Sequence, residues 1–180
     1  GWCSYQLQPG DKVIEMDPGM AFGTGTHETT ALCAALLEEL VRLGDTVIDV
    51  GTGAGILAIA AALCGAEAVL ASDIDPLAVR VATENIQRNN LSHIIRTRQG
   101  DLLQAVDQVG NVVVANIIAD VAASIAAPVR QYLVPGGHFI CSGIAREKQE
   151  VVFSALTAAG YLDIRVVEQG EWAAMCGRNP

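Results

Sequence analysis

Residues 46–55, TVIDVGTGAG, combine a largely apolar strand pattern with glycine at three alternate positions, Gly51, Gly53 and Gly55. The helical pattern ILAIAAAL follows directly at Ile56. Apolar runs without alternation are typical of parallel strands that are covered on both faces. Glycine at the bend permits a tight turn and lets a ligand approach the backbone closely. This stretch therefore predicts a buried strand, a ligand-binding turn and a helix.

The rest of the chain alternates strand-like and helix-like patterns. Strands are predicted at residues 12–17, 46–50, 68–72, 94–98, 111–115, 137–142, 161–168 and 171–177. A first helix is predicted to begin after an N-cap at Thr26. Further helices are predicted at residues 56–63, 76–89, 117–133 and 147–159. The helix at residues 76–89 has Asp75 as its N-cap and Pro76 as its first residue. Alternation of this kind predicts a doubly wound α/β sheet.

The size and composition of the chain fit one compact domain, residues 1–180. It has 180 residues, of which 51% are hydrophobic, enough for a sizeable core. The longest apolar run, residues 53–66, is shorter than the roughly 20 residues that a membrane span requires, so it predicts a core helix and no membrane association.

The cysteines and histidines argue against a metal site and a disulfide framework. The five cysteines are scattered and never form a C-x-x-C pair, and the three histidines are equally dispersed. Reduced, mostly buried thiols are expected, which indicates a cytoplasmic protein.

The chain is acidic, with 20 Asp or Glu against 11 Lys or Arg and a net charge of -9. This balance disfavours binding to nucleic acid, whose backbone rewards clustered basic residues. It suits a basic protein partner through electrostatic attraction. Solubility alone is an equally good explanation of the charge.

An acidic residue at the end of the second strand of the sheet identifies the class of ligand. Asp73 follows Gly51 by 22 residues, the spacing at which a carboxylate accepts hydrogen bonds from ribose hydroxyls. The dinucleotide fingerprint is G-x-G-x-x-G, whereas this chain has G-x-G-x-G. The spacing therefore favours a nucleoside cofactor without a pyrophosphate and disfavours a nicotinamide-dependent oxidoreductase.

The pattern D-x-G-x-G-x-G resembles motif I of the seven-stranded S-adenosylmethionine-dependent methyltransferases, which have a Rossmann-like, mixed sheet. Residues 17–30 (DPGMAFGTGTHETT), 49–61 (DVGTGAGILAIAA), 72–79 (SDIDPLAV) and 115–117 (ANI) together resemble the PrmA family, which methylates a large-subunit ribosomal protein. The resemblance covers essentially the whole chain. It implies an N-methyltransferase that acts on lysine or N-terminal amines of a protein. A domain that binds S-adenosylmethionine without catalysis has the same cofactor contacts and stays open as an alternative.

The resemblance also implies which residues bind the cofactor. Thr30, Gly51, Asp73 and Asn116 match the binding positions of the family. With such a cofactor, Gly51 and Gly53 would receive its methionine portion.

Further contacts to the cofactor are expected around these positions. Asp49 is expected to meet the ammonium group and Ile74 to lie beside the adenine. Thr26, together with Thr30, would place a hydroxyl near the carboxylate of the cofactor, and Phe22 would offer an aromatic face to the sulfonium.

Two residues, Asp101 and Trp172, have both a functional and a structural interpretation. Asp101 lies where methyltransferases often bind the adenine amine, and it equally suits a simple turn. Trp172 either walls the amine site or belongs to the core.

The residue expected next to the reacting methyl group is Asn116. Its place in A-N-I is similar to that of the asparagine in the N-P-P-Y motif of methyltransferases acting on nitrogen, where the amide accepts hydrogen bonds from the amine. A cap for the strand end is the alternative. The chain lacks the aromatic platform that base-flipping enzymes use, so a protein amine is the expected target. The N-terminal substrate-recognition domain of the family is expected to be absent from this chain.

Overall fold

The computed structural model describes Gln8, residues 10–17 and residues 27–180. Phe22 and Thr26, two residues of the predicted site, lie outside this part of the chain, as does Cys3. Five helices are present among the described residues: α1 (Glu28–Leu40), α2 (Ile56–Cys64), α3 (Pro76–Arg88), α4 (Ala119–Val129) and α5 (Gln149–Ala158). The strands are β1 (Thr46–Val50), β2 (Ala68–Asp73), β3 (Ile95–Gln99), β4 (Gly110–Asn116), β5 (Leu133–Ala145), β6 (Leu162–Gln169) and β7 (Trp172–Arg178).

The seven strands form one mixed sheet in the order β3-β2-β1-β4-β5-β7-β6. All pairs from β3 to β5 are parallel, whereas β7 runs antiparallel to both of its neighbours. The strand order reverses between β1 and β4, which are hydrogen-bonded neighbours. Ligands of open α/β sheets bind beyond the carboxyl ends of the strands at such a point. The predicted seven-stranded doubly wound fold is confirmed.

The core lies on both faces of the sheet. One apolar cluster packs α1, α2 and α3 against the sheet, and a second packs α4 and α5 against the opposite face. The central strands β1 and β4 are almost entirely buried as a result. This explains their apolar sequences, because neither face of either strand meets water.

The start of α3 follows the predicted capping chemistry. Asp75 Oδ1 accepts a hydrogen bond from the backbone nitrogen of Leu77 at 2.8 Å, and Pro76 is the first helical residue. Proline fits there because its missing N–H would have no partner inside the helix.

Three local predictions were wrong. Residues 12–17 form no strand, because the backbone nitrogens of Glu15 and Asp17 bond to side chains of α3 and of the residue that follows it. The N-cap of α1 is His27 instead of Thr26. The helix predicted at residues 117–133 is shorter, since α4 ends at Val129 and a 3-10 turn leads into β5. Within the described part of the chain, no helix is long and apolar enough to cross a membrane.

Candidate cofactor and acceptor site

A cleft of about 330 Å³ opens at the carboxyl ends of β1 and β4. It brings together four of the predicted site residues, Thr30, Gly51, Gly53 and Asn116. The other described candidates, Asp49, Asp73, Ile74 and Asp101, do not line it. The remaining lining residues are His27, Thr29, Thr52, Ile56, Leu57, Ile117, Ile118, Gly143 and Trp172.

The glycine turn has a backbone that only glycine adopts without strain. Gly51, Gly53 and Gly55 have φ values of 74°, 55° and 90°. The nitrogens of Gly51 and Thr52 donate to the carbonyl oxygen of Ser72 at 2.8 and 2.9 Å, which fixes the turn to β2. A Cβ atom at Gly51 would lie 2.9 Å from Cγ2 of Ile117. The missing side chain therefore keeps this side of the cleft open.

Asp73 joins the end of β2 to the glycine turn. Its Oδ2 accepts from the nitrogen of Gly53 at 2.9 Å, and its Oδ1 accepts from the nitrogen of Asp75 at 3.0 Å. A carboxylate has about four lone-pair sites, so both oxygens keep capacity for further donors such as ribose hydroxyls. The next residue, Ile74, is 62% exposed and offers an apolar surface beside this carboxylate.

Asp49 lies beneath the glycine turn and is fully buried. Its Oδ2 accepts from Thr52 Oγ1 at 2.6 Å and from the nitrogen of Ala58 at 3.1 Å. Burial raises the pKa of Asp49 to about 7, with a smaller contribution from the charge of Asp73, while the two hydrogen bonds act in the opposite direction. Its Oδ1 is buried without a protein partner. A buried carboxylate oxygen of this kind fits a site that receives a donor, such as a water molecule or an ammonium group, from a ligand.

Asn116 ends β4 and bonds to the first turn of α1. Its Nδ2 lies 3.3 Å from Thr29 Oγ1 and 3.4 Å from Thr30 Oγ1. These contacts join residues 87 and 86 positions apart in the chain. The amide therefore bonds to two hydroxyl groups that line the cleft.

Gly143 allows β5 to pass close to Asn116, and no sequence pattern singled it out. It has a φ of 82°, and a Cβ atom there would lie 2.4 Å from the carbonyl oxygen of Ile117. The nitrogen of Ile117 in turn donates to the carbonyl oxygen of Ser142 at 3.0 Å. The end of β5 thus fixes the backbone that follows Asn116.

Two aromatic rings line the mouth of the cleft. The rings of His27 and Trp172 meet edge to face, with centroids 4.9 Å apart and an angle of 69° between the planes. Trp172 is half-buried and lines the cleft, so it forms part of the cleft wall and does not lie in the core. Ile118 is 67% exposed at the same cleft. His27 and Thr29 were missed as site residues, although both stand in the THETT stretch of the recognised motif.

Asp101 lies after β3, at the start of a 3-10 turn over Leu102–Ala105. It is exposed, and its side chain makes no capping hydrogen bond in the turn. The preceding Gly100 donates from its nitrogen to the carbonyl oxygen of Asp73 at 2.9 Å. Asp101 therefore lies on the β2 side of the site, beyond the glycine turn.

Metal ligands are not gathered anywhere in the described ranges. No group of three or more His, Cys, Asp or Glu side chains there is arranged to hold a metal ion. Cys33, Cys64, Cys141 and Cys176 are free thiols.

The strand order, the antiparallel β7, the glycine turn and the acidic end of β2 together define the class of S-adenosylmethionine-dependent methyltransferases with a Rossmann-like sheet. Within this class the chain belongs to the family described as "Ribosomal protein L11 methyltransferase (PrmA)", whose sequence profile matches residues 1–180. S-adenosylmethionine is the cofactor of this family.

Individual relatives agree with this assignment. A ribosomal protein L11 methyltransferase of Pelotomaculum thermopropionicum is 53% identical over 177 residues, which cover 98% of this chain and 58% of the relative. One of Exiguobacterium sibiricum is 45% identical over 99% of this chain and 56% of its own length. The chain thus spans a little over half the length of these curated relatives.

Solved structures show the same fold. The crystal structure of a ribosomal protein L11 methylase from Lactobacillus delbrueckii has a TM-score of 0.87 and 34% identity, covering 98% of this chain and 92% of that one. An RNA methyltransferase from Salinibacter ruber, solved in complex with S-adenosyl-L-homocysteine, has a TM-score of 0.65 and 22% identity over 82% of this chain and 90% of its own. At that identity the second likeness concerns the fold alone.

Proposed function

We propose that this chain transfers methyl groups from S-adenosylmethionine to amines of ribosomal protein L11, on a lysine side chain or on the N-terminus. The observation that supports the amine most directly is the amide of Asn116, which ends β4 inside the cleft beside Gly51. An asparagine amide is a suitable partner for an amine because its oxygen accepts N–H hydrogen bonds.

The residues of the cleft fit the cofactor. Gly51 and Gly53 leave room at the backbone for its methionine portion, and Asp73 keeps lone pairs for the ribose hydroxyls. The unpartnered Oδ1 of Asp49 is the group suited to the ammonium, directly or through water. When bound, the cofactor supplies an electrophilic methyl group on a positively charged sulfur.

The work of the protein is then mainly to position the amine. A lysine amine has an unperturbed pKa near 10.4, so it must release a proton to solvent before it can attack. An amine that enters the cleft would contact the apolar surfaces of Trp172 and Ile118, and such burial would favour its neutral form because burial disfavours the charged one. Asn116 would then hold the nitrogen in line, which raises its effective concentration at the methyl group.

The charge of the chain supports a basic protein substrate and gives no support for nucleic acid. A net charge of -9 attracts a basic protein and repels a phosphate backbone. Modification of a ribosomal protein would place the reaction in the cytoplasm.

A transfer assay tests the proposal against a domain that binds the cofactor without catalysis. The chain is incubated with methyl-labelled S-adenosylmethionine and purified ribosomal proteins, and cofactor binding is measured by calorimetry on the same preparation. We expect label on ribosomal protein L11. Tight cofactor binding without any transfer would overturn the enzyme proposal, and binding of a nicotinamide cofactor instead would overturn the choice of cofactor.

A matched pair of variants locates the activity. Asn116→Ala removes the amide in the cleft, so the transfer rate should fall by roughly 100-fold, as expected for a lost positioning group. Asn111→Ala is the control, since Asn111 lies on the same strand but bonds to the nitrogen of Thr46, away from the cleft. Equal rates for the two variants would contradict the role of Asn116.

A further inference from the structure

We infer that His27 sets the polarity of the acceptor site, by fixing through Thr29 which end of the Asn116 amide faces the cleft. The inference rests on the proposed function, because it concerns how the amine is received. His27 is a positioning residue here, since it acts on Asn116 through another side chain.

The ring of His27 has a defined proton position. The backbone nitrogen of Thr29 lies 3.3 Å from Nδ1 of His27. A backbone N–H can only donate, so Nδ1 must accept and carries no proton. The neutral ring therefore has its proton on Nε2. This bond is also the N-cap of α1, which ties the state of the ring to the start of the helix.

The hydroxyl of Thr29 takes its direction from this ring. Its Oγ1 lies 2.9 Å from the same Nδ1. Because Nδ1 has no proton to give, the hydroxyl is the donor of this pair and shares the single lone pair of Nδ1 with the backbone N–H of Thr29. A hydroxyl has one proton, so Thr29 Oγ1 is left with acceptor capacity only.

The amide of Asn116 is oriented in turn by that hydroxyl. It meets Thr29 Oγ1 at 3.3 Å, and an oxygen that can only accept must face the NH₂ group. Thr30 Oγ1 receives the same nitrogen at 3.4 Å. With Nδ2 held between the two hydroxyls, Oδ1 is left for the cleft. An amine brings N–H donors, so this orientation is the one that binds it.

A proton on Nδ1 of His27 would reverse the donor and acceptor roles along the series His27, Thr29 and Asn116. The ring would then donate to Thr29 Oγ1 and release the hydroxyl proton toward Asn116, which favours the flipped amide with NH₂ in the cleft. Among the described residues the charged neighbour of His27 is Glu28, whose Oε2 lies 3.9 Å from Nδ1. That distance is too long for a hydrogen bond, and both side chains are about half exposed, at 52% and 46%. From other elements, Trp172 on β7 and Asn116 on β4 face the site without charge.

The first test reads the proton directly and needs no activity. Nitrogen-15 NMR of the full chain, with the His27 signals assigned by comparison with His27→Asn, distinguishes a protonated from an unprotonated ring nitrogen. We expect the neutral ring to carry its proton on Nε2. A proton on Nδ1 would overturn the inference, whether or not the chain transfers methyl groups.

The second test uses two variants that separate the acceptor from the ring. His27→Asn keeps an acceptor for Thr29 and loses the ring contact with Trp172, whereas His27→Phe keeps an aromatic ring and loses the acceptor. We expect kcat within about threefold of the unmodified chain for the first and at least about tenfold lower for the second, with cofactor affinity preserved in both.

The comparison of the two variants decides this test. A normal kcat in His27→Phe, or a kcat in His27→Asn as low as that of His27→Phe, would contradict the inference. An unmodified chain that binds cofactor but transfers nothing would count against the proposed function, and the NMR test would still decide this one.

Discussion

The side chain of Asn85 on α3 donates from Nδ2 to the carbonyl oxygen of Ala54, in the middle of the glycine turn, at 3.0 Å. The same side chain accepts from the backbone nitrogen of Asp17 through its Oδ1 at 3.0 Å. Asn85 is fully buried. One amide thus joins the glycine turn of the cofactor site to the segment that precedes α1.

Replacement of Asn85 by alanine should therefore weaken both the fold and cofactor binding. The carbonyl of Ala54 is buried and would lose this donor, which costs about 2 kcal/mol in the free energy of unfolding. Asn89→Ala is the control, because Asn89 bonds to both backbone polar groups of Glu15 in the same segment but is not bonded to the glycine turn. Urea unfolding and calorimetry should show weaker cofactor binding in Asn85→Ala only. Equal cofactor affinities in the two variants would show that cofactor binding does not depend on the bond between Asn85 and the glycine turn.

Asp73→Ala should lower cofactor affinity by roughly 1 to 3 kcal/mol, since it removes charge-assisted hydrogen bonds to the ribose and the anchor of Gly53. Asp75→Ala removes a nearby carboxylate that caps α3 instead, so it should cost about 1 kcal/mol of stability and leave cofactor affinity intact. Isothermal titration with S-adenosylmethionine measures both. Unchanged affinity in Asp73→Ala would refute the assignment of the second strand as the ribose site.

Gly143→Ala should damage the acceptor side of the cleft. The added Cβ would lie 2.4 Å from the carbonyl oxygen of Ile117, so the backbone after Asn116 must shift. Gly136→Ala is a close control, because Gly136 has a φ of 81° against 82° and a Cβ added there would meet nothing within 4 Å. Backbone strain alone should cost about 1 kcal/mol in the control, and strain plus overpacking about 3 kcal/mol in Gly143→Ala. Thermal unfolding and the transfer rate are measured for both variants, and Gly143→Ala should be the more impaired in both. Equal impairment of the two variants would contradict a steric effect at Gly143.

Asp49 should make the chain less stable as the pH rises from about 4 to about 7. Its pKa is about 7 in the fold against 3.8 for the free side chain, so the folded state binds more protons in this window. The stability it contributes is full below the lower value and is lost as the pH approaches the upper one. Asp49→Asn cannot titrate, and its amide can still accept from Thr52 and Ala58. Urea denaturation across this range should show a slope, worth on the order of 4 kcal/mol, that the variant lacks. An equal pH dependence of the unfolding free energy in the unmodified chain and in Asp49→Asn would contradict this role of Asp49.

The sheet could be predicted because its signals are local. The bounds of β1, Thr46–Val50, agree with the sequence pattern, and so do the cap and first residue of α3. Residues 12–17 misled because an extended segment and a strand share one sequence pattern. Which partner takes the backbone hydrogen bonds is decided by distant side chains, here Asn85 and Asn89.

The candidate site likewise contains residues that the sequence pointed to and residues that it did not. The contact between Gly53 and Asp73 could be expected from the sequence, because a turn and the end of the next strand lie near each other along the chain. His27 and Gly143 were not singled out, because they meet Asn116 and its neighbours only after the sheet has formed. The role of His27 depends on hydrogen-bond polarity, which a sequence does not display.

The most direct test of the proposed activity is to identify the atom that receives the methyl group. Ribosomal protein L11 is incubated with the chain and S-adenosylmethionine, digested, and mapped by tandem mass spectrometry. We expect methyl groups on amine nitrogens, at a lysine side chain or the N-terminus, and their loss with Asn116→Ala. Methyl groups on an oxygen or an amide nitrogen, or an unmodified ribosomal protein despite saturated cofactor binding, would contradict the proposal.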